Sequence, residues 1–237
     1  LVQDRILTLD GARGSLIQSL KLSEAEVRGD RFADHAKDLE NFADLLCLTR
    51  PNDITNIHRQ YFEAGSDIVC TNTFGASPVG ADEFDLSDDI IAEINHAAAA
   101  CARKAADEFN ERTPEKPRFI AGSIGPTAKQ LAISTKVEDA AFRNATFDMM
   151  AKSYYKQVAA LVEAGIDILL PETVIDTLNL KACLFAISKY FDDSGTRVPV
   201  MISATFGEGG ATFVSGQKVE AFWNAISHFP MFSVGMN

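Results

Sequence analysis

Glu63-Ala64-Gly65-Ser66-Asp67-Ile68-Val69 and Glu163-Ala164-Gly165-Ile166-Asp167-Ile168-Leu169 are two copies of one pattern, one hundred residues apart. Each copy follows a stretch with helical apolar spacing, residues 57–62 in the first and 157–162 in the second. Gly65 and Gly165 then suit the left-handed residue that ends many helices. An aspartate and a short apolar run come next, in residues 67–73 and 167–173. Such a run after a helix and a glycine predicts a buried parallel strand. Both runs end in polar residues, Asn72-Thr73 and Glu172-Thr173. Parallel α/β folds place their chemistry at that end of their strands.

Four further segments fit the same template: residues 5–10, 118–124, 199–205 and 232–237. Helical stretches are predicted between them, most clearly over 90–110, 142–164 and 177–191. Asp176 or Thr177 can cap the last of these, and Lys189 lies near its C-terminus. Six strands alternating with helices predict an α/β fold. No G-x-G-x-x-G opens the first helix after a strand, which argues against a dinucleotide-binding sheet. Several strands, rather than the two beside one crevice, end in polar residues, which favours a closed (β/α)8 TIM barrel. A barrel of that kind takes about 250 residues, and six strands already occupy the 237 present. The expectation is one barrel domain over residues 1–237, truncated after about six strands and incomplete at its C-terminus.

A hydrophobic content of 46% is enough for one sizeable core. The net charge of −11 opposes binding to nucleic acid or to an anionic membrane, so neither is an expected partner. No apolar run approaches the roughly 18 residues that span a bilayer. The start, Leu1-Val2-Gln3-Asp4-Arg5, has neither a Met nor a signal-peptide pattern. Cys47, Cys70, Cys101 and Cys183 are widely separated, form no C-x-x-C pair and read as buried reduced thiols. A cytoplasmic location is expected on that basis.

Three strand ends carry candidate groups. In residues 10–15, Asp10 can meet an ammonium, and the glycines Gly11 and Gly14 bare backbone N–H groups for a carboxylate; an ordinary Asp-capped turn reads equally well. In residues 71–75, Asn72 and Thr73 can hydrogen-bond a ligand, or Thr73 can cap a helix. Glu172 ends an apolar strand and needs a cation, either a lysine or a substrate ammonium. In a barrel Asp10 and Glu172 share one mouth, which suits an amino acid. Glycosidase acid–base work is the other use of such a pair, but the single Trp223 leaves little aromatic surface to stack a sugar. Residues 122–127 read as a tight turn rather than a phosphate loop. His35, His58, His96 and His228 have no metal partner at helical spacing. Residues 206–215 read as a hairpin with Gly209-Gly210 at its tip.

These strand ends resemble those of the homocysteine S-methyltransferase family, in particular the homocysteine-binding domain of cobalamin-dependent methionine synthase. The resemblance is carried by LDGARGSLIQ (9–18), YFEAGSDIVCTNTFGA (61–76), GSIGPT (122–127), LPETVIDTLNLKA (170–182), VSGQKVEAFWN (214–224) and SVGMN (233–237). Residues 141–148, AFRNATFD, are similar to a segment of the cobalamin-dependent branch. The resemblance implies methyl transfer to the sulfur of homocysteine to make methionine. A zinc ion on three cysteines would hold that sulfur as thiolate, and methylcobalamin on a separate module would give up its methyl, leaving cob(I)alamin. Folate- and cobalamin-binding modules of the same protein are the implied partners.

The resemblance also assigns residues. Asp10 and Glu172 would face the homocysteine ammonium and the Gly11 backbone its carboxylate. Asn72, Thr73 and Ser203 would line the pocket floor. The first zinc cysteine is expected directly after Asn237, so no metal ligand and no catalytic residue is assigned within these 237 residues. The chain departs from the branch at Ala12-Arg13, where Gly-Met is usual, and at Cys70, where Glu is usual. Two alternatives stand beside this one: a cobalamin-independent enzyme using betaine or S-methylmethionine, and a catalytically dead truncated barrel.

Overall fold

The computed structural model describes all residues, 1–237. Three short helices, α1 (Arg13–Ser19), α2 (Glu24–Arg28) and α3 (Leu46–Thr49), precede the first full unit. Helix α4 (Pro51–Glu63) begins on a proline, whose fixed φ suits the first turn. Then follow β1 (Ile68–Cys70), α5 (Asp88–Arg112), β2 (Phe119–Ile124), α6 (Phe147–Glu163), β3 (Ile168–Pro171) and α7 (Thr177–Ser194). The chain closes with β4 (Met201–Ala204), α8 (Val219–Ile226) and β5 (Ser233–Met236).

Strands β1, β2 and β3 form one parallel sheet in that order, with Val69 opposite Ile120 and Gly122 opposite Leu169. Strands β4 and β5 form a second parallel pair. Bridges Leu169–Val200 and Val174–Ala204 join β3 to β4, so neighbours follow chain order throughout. Strands β1, β2 and β3 are buried on both faces. Val69, Ile120, Leu169 and Ile202 pack outward with α5, α6 and α7 in the main core. Ile68, Cys70, Ala121, Ile168 and Leu170 pack on the other side. That two-sided burial is why the strand segments read as continuous apolar runs rather than as alternating ones.

The repeated sequence pattern makes a repeated contact. Gly65 and Gly165 adopt φ +108° and +81°, ending α4 and α6. The next aspartate then clasps the preceding segment. Asp67 N–H donates to Thr8 O, and Thr8 N–H donates back to the Asp67 carboxylate, both at 2.9 Å. Asp167 does the same with Ile120, at 2.9 and 2.8 Å. An arginine backs each carboxylate: Arg5 on Asp67 at 2.7 Å and Arg103 on Asp167 at 2.9 Å.

Two expectations are corrected. Residues 5–10 make a single parallel bridge, Leu9 with Ile68, instead of a strand. Beyond that bridge the next β1 donor, Cys70 N–H, goes to the Asp10 carboxylate instead of the Asp10 carbonyl, and before it Ile6 stands 89% exposed, so no strand pairing extends through this segment. Helix α6 begins at Phe147 rather than at 142. Thr146 accepts from Met149 N–H and caps it, while Arg143 turns away to donate to Leu131 O. The hairpin at residues 206–215 is present as the antiparallel bridge Phe206–Thr212, with Gly210 at φ +66°. Asp176 caps α7 by accepting from Leu178 N–H and Asn179 N–H.

Candidate functional site

The carboxyl ends of β1, β3 and β4, with the turn before α1, surround a cleft of ≈ 430 Å³. Five of the six residues singled out from sequence line it: Asp10, Gly11, Asn72, Glu172 and Ser203. They come from four separate segments, so the parallel order of the sheet brings them together. Thr73 does not reach the cleft. It is fully buried, and its hydroxyl donates to Ser123 O at 2.7 Å, tying the end of β1 to β2. Neither does it cap a helix.

Asp10 is almost wholly buried, and one of its oxygens accepts from Cys70 N–H at 2.9 Å. Asn72 donates from Nδ2 to Ala43 O at 2.8 Å. Glu172 accepts from Ser123 Oγ at 2.5 Å and keeps 23% of its side chain exposed. The chain then turns at Thr173, whose φ of +54° is unusual for a β-branched residue. Such a conformation costs on the order of 1–3 kcal/mol and persists where the surroundings enforce it. Here it sits directly beside the cleft carboxylate.

Arg13 reaches between the two carboxylates, with Nη1 3.4 Å from Asp10 and Nη2 3.8 Å from Glu172. The cation anticipated near Glu172 as a lysine is thus an arginine. Burial works against the charge on Arg13, but the field of the neighbouring Asp10 and Glu172 outweighs it and holds the guanidinium protonated. Burial pushes the Cys70 thiol well above its ordinary range, so it carries no charge at neutral pH. Asp44, a third carboxyl at the cleft, is raised to about 6 by burial, against hydrogen bonds that include the Gly75 N–H at 2.9 Å. Sequence reading missed Asp44 because it lies in a short 3-10 turn, Ala43–Leu45, and not at a strand end.

His58 of α4 is completely buried, and neither ring nitrogen has a partner. Burial, helped by the field of Arg13, lowers its pKa from 6.5 to about 3. The folded chain therefore holds a neutral imidazole, whereas the unfolded chain takes up a proton below about 6.5. Stability contributed by His58 is present above that value and is lost as pH falls toward 3. His58→Leu removes that proton uptake. Relative to wild type, the variant is expected to gain up to about 1.4 kcal/mol per pH unit within this window. Thermal melts at pH 7, 5.5 and 4 check it; a constant offset between the two proteins would show that His58 does not titrate as described.

Metal donors are sparse at the cleft. All four cysteines are free and buried. The group of three donors close enough to share an ion is Glu24, Asp38 and Glu40 on α2 and the following loop. Glu24 there already meets Arg28 and accepts from Leu39 N–H, and none of the three lines the cleft. The residues present do not compose a thiolate zinc site.

The family model described as homocysteine S-methyltransferase matches residues 7–237. The chain belongs to the homocysteine S-methyltransferase family. Among solved structures it is similar to the homocysteine methyltransferase MmuM from Escherichia coli. The oxidized form gives a TM-score of 0.77 at 19% identity, covering 100% of this chain and 75% of that one. The metallated form gives 0.76 at 18%, covering 100% and 76%. At that identity the likeness establishes a shared fold. Within this homocysteine S-methyltransferase chain, the residues with charge at the cleft are Asp10, Arg13, Asp44 and Glu172.

Proposed function

We propose that this chain is the homocysteine-binding barrel of a cobalamin-dependent methionine synthase. The observation that carries the reading is the convergence of Asp10 and Glu172, from separate segments, on one cleft. Two carboxylates lining one cleft suit the ammonium of an amino acid, and membership of the family makes that amino acid homocysteine. Parallel neighbours in strict chain order support an arc of a (β/α)8 barrel truncated after about six rungs. The segment 141–148, seated at the cap of α6, supports the cobalamin-dependent branch.

The work proposed for these residues is binding and orientation. Asp10 and Glu172 hold the ammonium. The exposed Gly11 turn offers backbone N–H to the carboxylate, and Asn72 and Ser203 line the floor. Thr73 acts one layer back, holding the end of β1 against β2. The methyl comes from methylcobalamin on a separate module, with a folate-binding module as a further partner in the cytoplasm. Zinc chemistry belongs to donors other than the residues described. No helix is long and apolar enough to cross a membrane.

The test uses the protein that carries this chain, supplied with L-homocysteine and one methyl donor at a time. Methionine is expected from methylcobalamin. Methionine from betaine or S-methylmethionine instead would move the protein to the cobalamin-independent branch. No methionine from any of the three would leave a catalytically dead barrel.

A further inference from the structure

Arg13 is the one cationic side chain lining the cleft, and Asp10, Asp44 and Glu172 line it too. Only 12% of its side chain is exposed. A guanidinium has five N–H donors, yet Arg13 makes one hydrogen bond, to Asp10 at 3.4 Å. Its Nε is buried with no acceptor. The approach to Glu172, at 3.8 Å, is too long for a hydrogen bond. Charge-assisted bonds of this type close to about 2.7–2.9 Å when they are well made.

The carboxylates are likewise occupied elsewhere. Asp10 accepts from Cys70 N–H, and Glu172 from Ser123 Oγ. The three groups are therefore not a closed ion-pair network but a set with open positions. On the arginine the open positions are donors, and its side chain lines the cleft. The fork of a guanidinium matches a carboxylate, with two parallel N–H···O bonds. Arg13 also lies in the same turn as Gly11, its backbone N–H donating to Gly11 O at 2.8 Å.

We infer that Arg13 is a specificity-determining residue that receives the carboxylate of the amino-acid substrate, while Asp10 and Glu172 receive its ammonium. This rests on the homocysteine reading above and sharpens it. Because the guanidinium also borders Asp10 and Glu172, an alternating ring of charge results: protein carboxylate, ligand ammonium, ligand carboxylate, protein guanidinium. A ligand without the carboxylate leaves the guanidinium donors unmet. A ligand without the ammonium still finds Arg13.

Three ligands and three proteins test it by calorimetry. The ligands are L-homocysteine, 3-aminopropane-1-thiol, which lacks the carboxylate, and 4-mercaptobutanoate, which lacks the ammonium. The proteins are wild type, Arg13→Met and Arg13→Lys, each first checked for an unchanged thermal melt. Arg13→Met is expected to weaken L-homocysteine and 4-mercaptobutanoate roughly ten- to hundredfold and leave the aminothiol unchanged. Arg13→Lys, keeping the charge without the fork, should fall between. If Arg13→Met tightens the two amines, Arg13 competes with the ammonium, and the inference is overturned. Unchanged L-homocysteine binding overturns it as well, while leaving the homocysteine reading intact. Arg13-dependent binding of 4-mercaptobutanoate by a wild-type chain that ignores L-homocysteine would uphold the anion site and sink the homocysteine reading. Binding of none of the three sinks both. If both variants melt early, the wild-type ranking decides, and an aminothiol bound as tightly as L-homocysteine overturns the inference.

Discussion

Glu172→Gln is expected to weaken L-homocysteine binding roughly ten- to hundredfold, with little change in the thermal melt. The substitution keeps the shape of the side chain and an oxygen to accept from Ser123 Oγ, so the end of β3 should hold its place. What it removes is one of the two negative charges offered to the ligand ammonium. A hydrogen bond to a charged partner contributes about 1.5–3 kcal/mol, and each 1.4 kcal/mol is about a factor of ten in affinity. The Arg13 contact is too long and too loosely made for its loss to unfold the site. Calorimetric titration at neutral pH gives the answer. Wild-type affinity in the variant would make Glu172 a structural partner of Ser123 and Arg13, and the ammonium would have to be sought elsewhere.

The larger effect on stability is expected from Asp67→Ala, a loss near the lower end of about 3–5 kcal/mol. Asp67 is buried and takes two bonds from Arg5, one from Thr8 N–H and one from the Thr8 hydroxyl. Truncation strands the Thr8 amide and removes the contact that holds residues 5–10 against β1. The lower end applies because Arg5 is partly exposed and water can take over its charge. Arg5 first, then the Thr8 amide, hold the Asp67 carboxyl well below its ordinary 3.8. The stability it confers is accordingly complete above about pH 4 and lost as the pH falls further. Urea unfolding at pH 7 measures the loss; a change under 1 kcal/mol would mean that the clasp contributes little.

Much of the fold could be read from the sequence because the two E-A-G-x-D-I copies report helix end, glycine and buried strand in one phrase. Strands buried on both faces declare themselves as apolar runs, as at Ile168–Pro171. Residues 5–10 misled because RILTLD has the composition of a strand, while its pairing stops where the Asp10 side chain takes the N–H of Cys70, 60 residues on. The start of α6 was hidden because Arg143 and Thr146 act through particular hydrogen bonds that periodicity does not see. At the cleft, strand-end polarity located Asp10, Asn72 and Glu172 but could not tell that Thr73 faces inward. Arg13 stood out in sequence as a departure. Its position between two carboxylates, and its unmet donors, are properties of the folded turn.

The twin clasps of Asp67 and Asp167 lie at the amino ends of β1 and β3, opposite the cleft at their carboxyl ends. Each clasp fixes where its strand begins relative to its neighbour, without reference to anything beyond the strand. One rim of the molecule therefore sets alignment, and the other is free to vary. A stretch such as residues 133–141, mostly exposed between β2 and α6, can be lengthened, shortened or rewritten, and the strand beneath it still enters at the same height. Such a layout is tolerant of drift in the binding rim and intolerant of drift in the anchoring rim. Random mutagenesis scored for folded protein should leave its survivors unevenly distributed, dense around the cleft loops and scarce at Arg5, Asp67, Arg103 and Asp167.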